Sequence, residues 1–204
     1  MRGVSLILLS SVMFGSYGIW SRLMGGDFDP FYQGWTRALI IVMLLLPFLY
    51  FKKELIKIER SDWKWLSVYL IFTSLTQAPL FYAFNHMDIG SATLLFFATM
   101  LLTMYVVGFA FLGEKLTVVK GASFVLALVG MYLVFSLSIA SFAFLAALMA
   151  ILNGIASGGE VSFSKKLSGN YSALYLTWLS WLIIIQTNGL MSVLLGETQH
   201  ALSF

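Results

Sequence analysis

The sequence predicts an all-α membrane protein, a polytopic bundle of about seven transmembrane helices. Hydrophobic residues fill 60% of the 204 positions and charged residues only 10%, whereas a soluble domain is about one quarter charged. Apolar runs of about 20 residues, long enough to cross a bilayer as helices, recur along the whole chain. These runs lack a period of two, and lipid leaves no other way to pair the backbone, so we expect helices throughout.

Seven spans can be drawn, and Pro79 falls inside the third. A proline in a helix interior lacks its N–H and clashes with the preceding turn, so we expect a kink there and a free carbonyl near Leu75 or Thr76. The first span has Arg2 before it, as a signal peptide would, but its length and the absence of a cleavage site favour a transmembrane helix. The expected bounds are 4–24, 30–51, 63–84, 89–112, 116–137, 142–163 and 172–195.

Loop charges predict the orientation. Lys and Arg mark the cytoplasmic side of membrane proteins, and every lysine lies in one set of loops, so we expect a multi-pass plasma-membrane protein with a cytoplasmic N-terminus. The formal charge of +3 therefore reflects topology and not nucleic-acid binding. Arg22 is the exception, and we expect it to snorkel to the opposite surface beside Asp27 and Asp29. The basic set is Arg2, Lys52, Lys53, Lys57, Arg60, Lys64, Lys115, Lys120, Lys165 and Lys166; the acidic set is Asp27, Asp29, Asp88 and Glu197.

The stretch 21–35 returns 143 positions later. Both copies join two apolar runs, and they stand five helices apart. Because five is odd, the second copy must face the other way across the membrane. This pattern is typical of secondary transporters, whose substrate site lies near the midplane between the repeats. The matching positions are Ser21, Arg22, Gly26, Asp27, Phe28, Tyr32 and Trp35 in the first copy and Ser164, Lys165, Gly169, Asn170, Tyr171, Tyr175 and Trp178 in the second.

The repeat predicts two units of unequal length. Residues 1–143 hold a first unit of five helices, and residues 144–204 have room for two helices of an inverted second unit. We therefore expect a C-terminally shortened version of a ten-helix protein. The alternative is a natural seven-helix chain that completes itself by pairing, as a homo-oligomer or with a partner chain that supplies the missing helices.

Four short motifs carry a family resemblance. They are residues 80–84 (LFYAF), 90–94 (GSATL), 112–117 (LGEKLT) and 130–134 (GMYLV). With the five-helix unit, its inverted successor and the arginine of the second span, the chain resembles the EamA-type branch of the drug/metabolite transporter superfamily. The resemblance implies proton- or gradient-coupled export or exchange of small metabolites such as amino acids, purines, organic acids or drugs. Since three helices of the family pattern are missing, the alternative is a non-transporting fragment or accessory membrane subunit.

Arg37 is the clearest candidate for substrate binding. It lies about 10 Å inside the second span, at 1.5 Å per residue, where an unpaired cation must face protein or water. It would attract a carboxylate or phosphate; the alternative is an arginine that snorkels outward or bonds helix carbonyls. Other polar side chains fall at or near its depth and predict a polar belt around a cavity. They are Tyr17, Gln77, Gln186, Thr99 and Asn153.

Three further residues carry weaker predictions. Trp20 and Trp35 lie near span ends, where aromatic residues are usually interface anchors, and contact with substrate is the alternative. Glu160 lies near the cytoplasmic end of the sixth span, about 15 Å from Arg37 along the membrane normal. We therefore expect no ion pair between them, and we hold a coupling role for Glu160 as a weak candidate.

Enzymatic chemistry is not predicted. The chain has no cysteine, which excludes thiolate catalysis and cysteine metal sites. It also lacks the glycine-rich nucleotide-binding motifs and the nucleophile elbow, and its two histidines do not make a metal cluster. We expect no cofactor and no metal.

Overall fold

The structure, a computed structural model, describes residues 2–115, 117–138 and 144–197, and its regular elements there are all helices. The predicted all-helical fold is therefore confirmed. Five of the helical stretches are long and apolar enough to cross a membrane: Pro30–Lys52, Trp63–His86, Ile89–Leu112, Phe144–Leu167 and Ala173–Leu194. The helices are α1 (Arg2–Met24), α2 (Pro30–Lys52), α3 (Trp63–Ser74), α4 (Ala78–His86), α5 (Ile89–Leu112), α6 (Val118–Ser138), α7 (Phe144–Leu167) and α8 (Ala173–Leu194).

The third predicted span is two helices and not one kinked helix. Helix α3 ends at Ser74 and α4 begins at Ala78. Pro79 occupies the first turn of α4, where its missing N–H is tolerated. The N–H of Leu80 donates to the carbonyl of Gln77, so the helix restarts at that residue. The break leaves the carbonyl of Thr76 without a helical partner.

Several predicted positions lie outside the described residues. They include the starts of the fifth and sixth spans at 116 and 142, the boundary after residue 143, and residues 198–204. Within the described chain, α6 begins at Val118 and α7 at Phe144.

The loop charges segregate to the two ends of the bundle. We call the end with the 53–62 and 168–172 connections the basic end, and the end with the 25–29 and 87–88 connections the acidic end. Arg22 lies at the acidic end, in the last turn of α1. Its guanidinium donates to the carbonyl oxygens of Phe84 and Met87, at the C-terminus of α4. A cation is favoured there because the last carbonyls of a helix carry partial negative charge.

Helix α7 packs closely against α3, α4 and α5. A Cβ at Gly154 would lie 2.6 Å from the carbonyl oxygen of Phe96, and one at Gly158 would lie 2.6 Å from that of Met100. Small residues at this spacing let the helix backbones approach. Gly159 faces the side-chain ring of Phe72 on α3. These four helices therefore form one closely packed body.

Helices α2 and α8 form a second, antiparallel pair. Leu49, near the end of α2, belongs to one buried cluster with Leu176, near the start of α8. Gly34 faces Asn188 in the other half of the interface. The two helices that begin within the two copies of the sequence repeat therefore lie side by side.

The turns after α2 and α8 have the same hydrogen bonds. The N–H of Glu54 donates to Leu49 (3.0 Å), and the N–H of Glu197 donates to Ser192 (2.9 Å). Each donor and each acceptor has its counterpart 143 positions away, which is the offset of the sequence repeat. Both turns lie outside the repeated stretch 21–35 and its copy 143 positions later.

Backbone angles recur at the same offset. Lys53 and Gly196, which end the two helices, both have left-handed backbones, with φ of 55° and 66°. Asp29 and Ser172, which precede the two helices, have φ and ψ of −67° and 158°, and of −67° and 151°. The likeness between the α2 and α8 segments thus extends from their first residue to the turn beyond their last.

Candidate functional site

A cavity of about 860 Å³ opens between α1, α2, α4, α5, α7 and α8. Most of its wall is apolar, and a few polar groups converge on it, as in small-molecule binding sites. Its large apolar side chains include Phe14, Leu80, Phe84, Phe96, Phe97, Met100 and Trp181. Its polar side chains include Tyr17, Arg37, Thr76, Gln77, Thr93, Asn153, Ser157 and Glu160.

Arg37 lies on this wall between aromatic rings. Its guanidinium carbon is 5.1 Å from the ring centre of Tyr17 and 4.7 Å from that of Phe81. One guanidinium nitrogen is 3.3 Å from the sulfur of Met24, a weak acceptor. Ring faces and sulfur hold the cation without neutralising it. Among the described residues, the structure shows no carboxylate bound to Arg37.

Tyr17 and Gln77 form the polar contact beside Arg37. The Tyr17 hydroxyl donates to Gln77 Oε1 at 2.8 Å. Since the oxygen of the amide is used in this bond, its nitrogen is the group left for another acceptor. Arg37 and Gln77 both line the cavity, so two hydrogen-bond donors face the same space from α2 and from the start of α4.

The break between α3 and α4 also reaches the cavity. The Asn153 side chain donates through Nδ2 to the Thr76 carbonyl oxygen, the group that the break leaves free. The Ser157 hydroxyl lies 3.5 Å from Asn153 Oδ1. Asn153 is fully buried, and its amide satisfies a buried backbone acceptor that has no helical partner.

Glu160 lies on the α7 side of the same cavity. The carboxylate interacts with Thr73 and lies near Tyr69, both on α3. The structure shows no ion pair between Glu160 and Arg37. At the basic end, Lys165 forms an ion pair with Glu114.

The cavity brings together five of the nine residues that the sequence singled out. They are Tyr17, Arg37, Gln77, Asn153 and Glu160. Four elements of the chain supply them. Counting from the loops put Tyr17, Arg37 and Gln77 at one depth, Asn153 near it, and Glu160 about 15 Å away along the membrane normal. Their roles stay predictions.

The other four residues lie elsewhere. Thr99 bonds the Leu95 carbonyl of its own helix at 2.7 Å. Gln186 is exposed on α8, and Trp20 on α1 is 61% exposed. Trp35 packs edge-on against Tyr32 at 5.1 Å. Depth along a helix does not determine which face a residue occupies, and that is why the predicted belt is only partly assembled.

Sequence reasoning missed Trp181 and Ser157 on the cavity wall. Ser157 stands four residues after Asn153 and three before Glu160, so these three share one face of α7. This spacing could have predicted that Ser157 lies on the cavity wall with Asn153 and Glu160. Trp181 lies within an apolar run, and no sequence signal separated it from its neighbours.

Glu197 joins α8 to α2 at the acidic end. Its carboxylate accepts the Tyr32 N–H at 2.9 Å. Burial raises the pKa of Glu197 above that of a free carboxyl, and the nearby Asp29 raises it further, while hydrogen bonds from the backbone of Tyr32 and Phe31 act against this rise.

No group of three or more His, Asp, Glu or Cys side chains in the described residues is placed to hold a metal ion. What the cavity offers is a cation, amide and hydroxyl groups and one carboxylate. Groups of this kind can bind a solute by charge and hydrogen bonding.

Comparison with known families agrees with this architecture. Comparisons with curated proteins and with solved structures give no match. The family model for the EamA-like transporter family matches residues 1–136, two thirds of the chain, and confirms the resemblance drawn from the motifs. The chain belongs to the EamA-like transporter family and is a multi-pass membrane protein of the drug/metabolite transporter type.

Proposed function

We propose that this protein moves a small anionic metabolite through the cavity by alternating access. The observation that carries the proposal is Arg37, a cation on the wall of a membrane-embedded cavity with no carboxylate bound to it in the described chain. A buried or half-buried charge is costly unless it is paired. A carboxylate or phosphate of the substrate would supply the missing partner.

Gln77 supports the same substrate chemistry. Its amide oxygen is taken by Tyr17, so its NH₂ group is the one available to a solute. A guanidinium and an amide NH₂ both donate, and an anionic group accepts from both. Because Arg37 and Gln77 both present donors to the cavity, they favour an anionic substrate group and disfavour a cationic one.

The rest of the cavity suits an apolar body. Phe14, Phe96, Phe97 and Trp181 line it, and aromatic faces bind flat or branched apolar groups. We therefore expect organic acids and amino acids with large side chains, or acidic purine derivatives, rather than small hydrophilic ions.

The transport cycle follows from the two-unit plan, which we also propose. Residues 1–143 would form one unit and residues 144–204 the beginning of an inverted second. The recurrence of the turns after α2 and α8 at an offset of 143 supports this division. The basic end would face the cytoplasm of a plasma-membrane protein, in keeping with its lysines.

Glu160 is our candidate for coupling transport to an ion gradient. It lines the same cavity as Arg37, and in the described residues it has no cationic partner. A carboxylate in that position can exchange a proton with the cavity when the cavity opens. Its exchange would be linked to the substrate through the shared space and not through a direct ion pair.

Counterflow in liposomes tests the proposal. Liposomes that contain the protein would be loaded with an unlabelled amino acid, purine or organic acid. Uptake of the same compound in labelled form would then be measured. We expect anions to exchange and Arg37→Gln to reduce their exchange by about tenfold or more, since hydrogen bonds to charged groups contribute about 1.5–3 kcal/mol. Arg37→Lys, which keeps the charge, is the matched control. Equal exchange by a folded Arg37→Gln protein contradicts the proposed role.

A further inference from the structure

Two carboxylates, one at each end of the α2–α8 pair, occupy corresponding positions. Glu197, which follows α8, accepts the N–H of Tyr32 in the first turn of α2. Glu54, which follows α2, accepts the hydroxyl of Ser172, the residue that caps the start of α8 through the N–H of Tyr175. Each helix therefore has its N-terminus closed by the carboxylate that follows the other helix. We call these two contacts the latches.

Each latch places a carboxylate oxygen at the start of a helix. The first turn of a helix has unpaired N–H groups and partial positive charge, which an anion stabilises. Both carboxylates are half-buried. Between the latches the interface is closed: Leu49 is fully buried and Asn188 is 1% exposed. The pair is thus fastened at its two ends and packed along its length.

On its inner side this pair faces the cavity, and at the basic end it packs against the body of α3, α4, α5 and α7. There Leu49 and Leu176 share one buried cluster with Tyr69 of α3 and with Phe163 of α7. Two further contacts cross the boundary. The Tyr69 hydroxyl donates to the Leu176 carbonyl at 2.9 Å, and Arg37 lies over the ring of Phe81. Both are contacts of long side chains, whereas α7 meets α5 through glycine backbones such as Gly154.

We propose that α2 and α8 move as one unit against the body when the cavity changes the side to which it opens. Glu54 and Glu197 are the positioning residues that keep the two helices together during the motion. This inference rests on the proposed alternating access and adds where the moving boundary lies.

A disulfide inside the pair gives the first test. An ideal Cβ at Gly34 lies 3.4 Å from the Cβ of Asn188, close to the separation of about 3.5–4.5 Å found in disulfides. The chain has no cysteine of its own, so Gly34→Cys with Asn188→Cys adds the only pair. We expect oxidation to leave the counterflow rate of this variant unchanged. A rate that is lost on oxidation and regained on reduction overturns the proposal.

A cross-link across the boundary gives the opposite expectation. Tyr69→Cys with Leu176→Cys would be bridged by a bifunctional thiol reagent of about the length of a tyrosine side chain. Bridging should stop counterflow, whereas modification of each single cysteine should not. Full transport by the bridged protein would mean that this boundary does not move.

The latches are tested by removal and rescue. The double variant Glu54→Ala/Glu197→Ala loses both acceptors and should lose most of the transport rate. Glu54→Gln/Glu197→Gln keeps an acceptor oxygen at each site and should keep most of the rate. Oxidised Gly34→Cys/Asn188→Cys, placed in the double-alanine background, should restore transport, because it replaces the fastening. If the disulfide forms and transport stays lost, the carboxylates do not act by holding the pair.

Spin-label distances separate this inference from the proposed function. Tyr50 on α2, Thr177 on α8 and Phe109 on α5 are exposed and suit labelling after substitution by cysteine. The 50/177 distance should have one narrow distribution that broadens in the double-alanine variant, and the 177/109 distance should be broad or two-state. If both distance distributions are as expected but no solute shows counterflow, the proposed transport function is wrong and the joint movement of α2 and α8 is supported. If counterflow is observed but the 50/177 distribution is as broad as the 177/109 distribution, α2 and α8 do not move as one unit and the transport function stands.

Discussion

Asn153 donates its side-chain N–H to the carbonyl oxygen of Thr76, the residue in the middle of the break between α3 and α4. The bond crosses from the first helix of the proposed second unit into the first unit. It fixes the backbone at the point where the cavity wall is least regular. A buried backbone acceptor needs a partner, and here a side chain from another helix supplies it.

Asn153→Ala should destabilise the fold. It leaves the Thr76 oxygen buried without a donor, and the loss should be about 1–3 kcal/mol. The measurement is the unfolding midpoint of purified protein in detergent. Ser157→Ala is the matched control, because its hydroxyl bond to Asn153 is long at 3.5 Å, and it should change the midpoint little. Equal effects of the two substitutions would contradict the importance of the Thr76 bond.

Gly154→Ala should also destabilise the protein, through packing. The new methyl carbon would lie 1.8 Å from Thr99 Oγ1 and 2.6 Å from the Phe96 carbonyl oxygen. The threonine can rotate but the backbone cannot, so we expect a loss of about 1–3 kcal/mol in the same unfolding measurement. Gly121→Ala on α6 has nothing within 4 Å and serves as the control. A Gly154→Ala protein as stable as Gly121→Ala would show that α5 and α7 are not this close.

Tyr17→Phe should weaken substrate binding without changing the fold. It removes the donor that orients the Gln77 amide, so the amide no longer presents its NH₂ group to the cavity. The expected effect is a rise of about fivefold in the KM of an anionic solute, the equivalent of one hydrogen bond of about 1 kcal/mol. Tyr50→Phe makes the same chemical change on the exposed surface of α2, where Tyr50 is 71% exposed, and should leave KM unaltered. A KM that rises equally in both variants would not support the Gln77 contact.

The stability of the protein should depend on pH through Glu197. Because the folded-state pKa of Glu197 is raised, the folded chain binds this proton more readily than the unfolded chain. The resulting stabilisation is complete below the unfolded pKa of about 4.3 and is lost as pH rises through the folded pKa. The unfolding midpoint of the wild type should therefore fall relative to that of Glu197→Gln as the pH rises above about 4.3. A wild type that gains stability over Glu197→Gln in this interval contradicts the raised pKa.

The sequence determined the spans well because lipid leaves few choices. The fourth predicted span, 89–112, agrees with α5 at both ends. The third predicted span, 63–84, is two helices in the structure. A proline in the sequence predicts that a helix is disturbed, but it does not show whether a partner such as Asn153 stabilises a complete break. Tertiary contacts decide between a kink and two helices.

The candidate site was predictable in depth and not in direction. Counting from the loops put Tyr17, Arg37 and Gln77 at one level, and all three line the cavity. The same count included Gln186, which is exposed on α8. Helix α8 buries Ile184 and Asn188, so Gln186, half a turn from each, points away. Only the position of the neighbouring helix shows which face is inside.

The left-handed residues that end α2 and α8 differ in one respect, since one is Gly196 and the other is Lys53. A side chain in this conformation costs about 1 kcal/mol relative to glycine. Lysines beside a transmembrane segment resist translocation and decide on which side a loop stays. We therefore expect Lys53, in spite of its left-handed backbone, to help retain the α2–α3 connection on one side of the membrane during insertion.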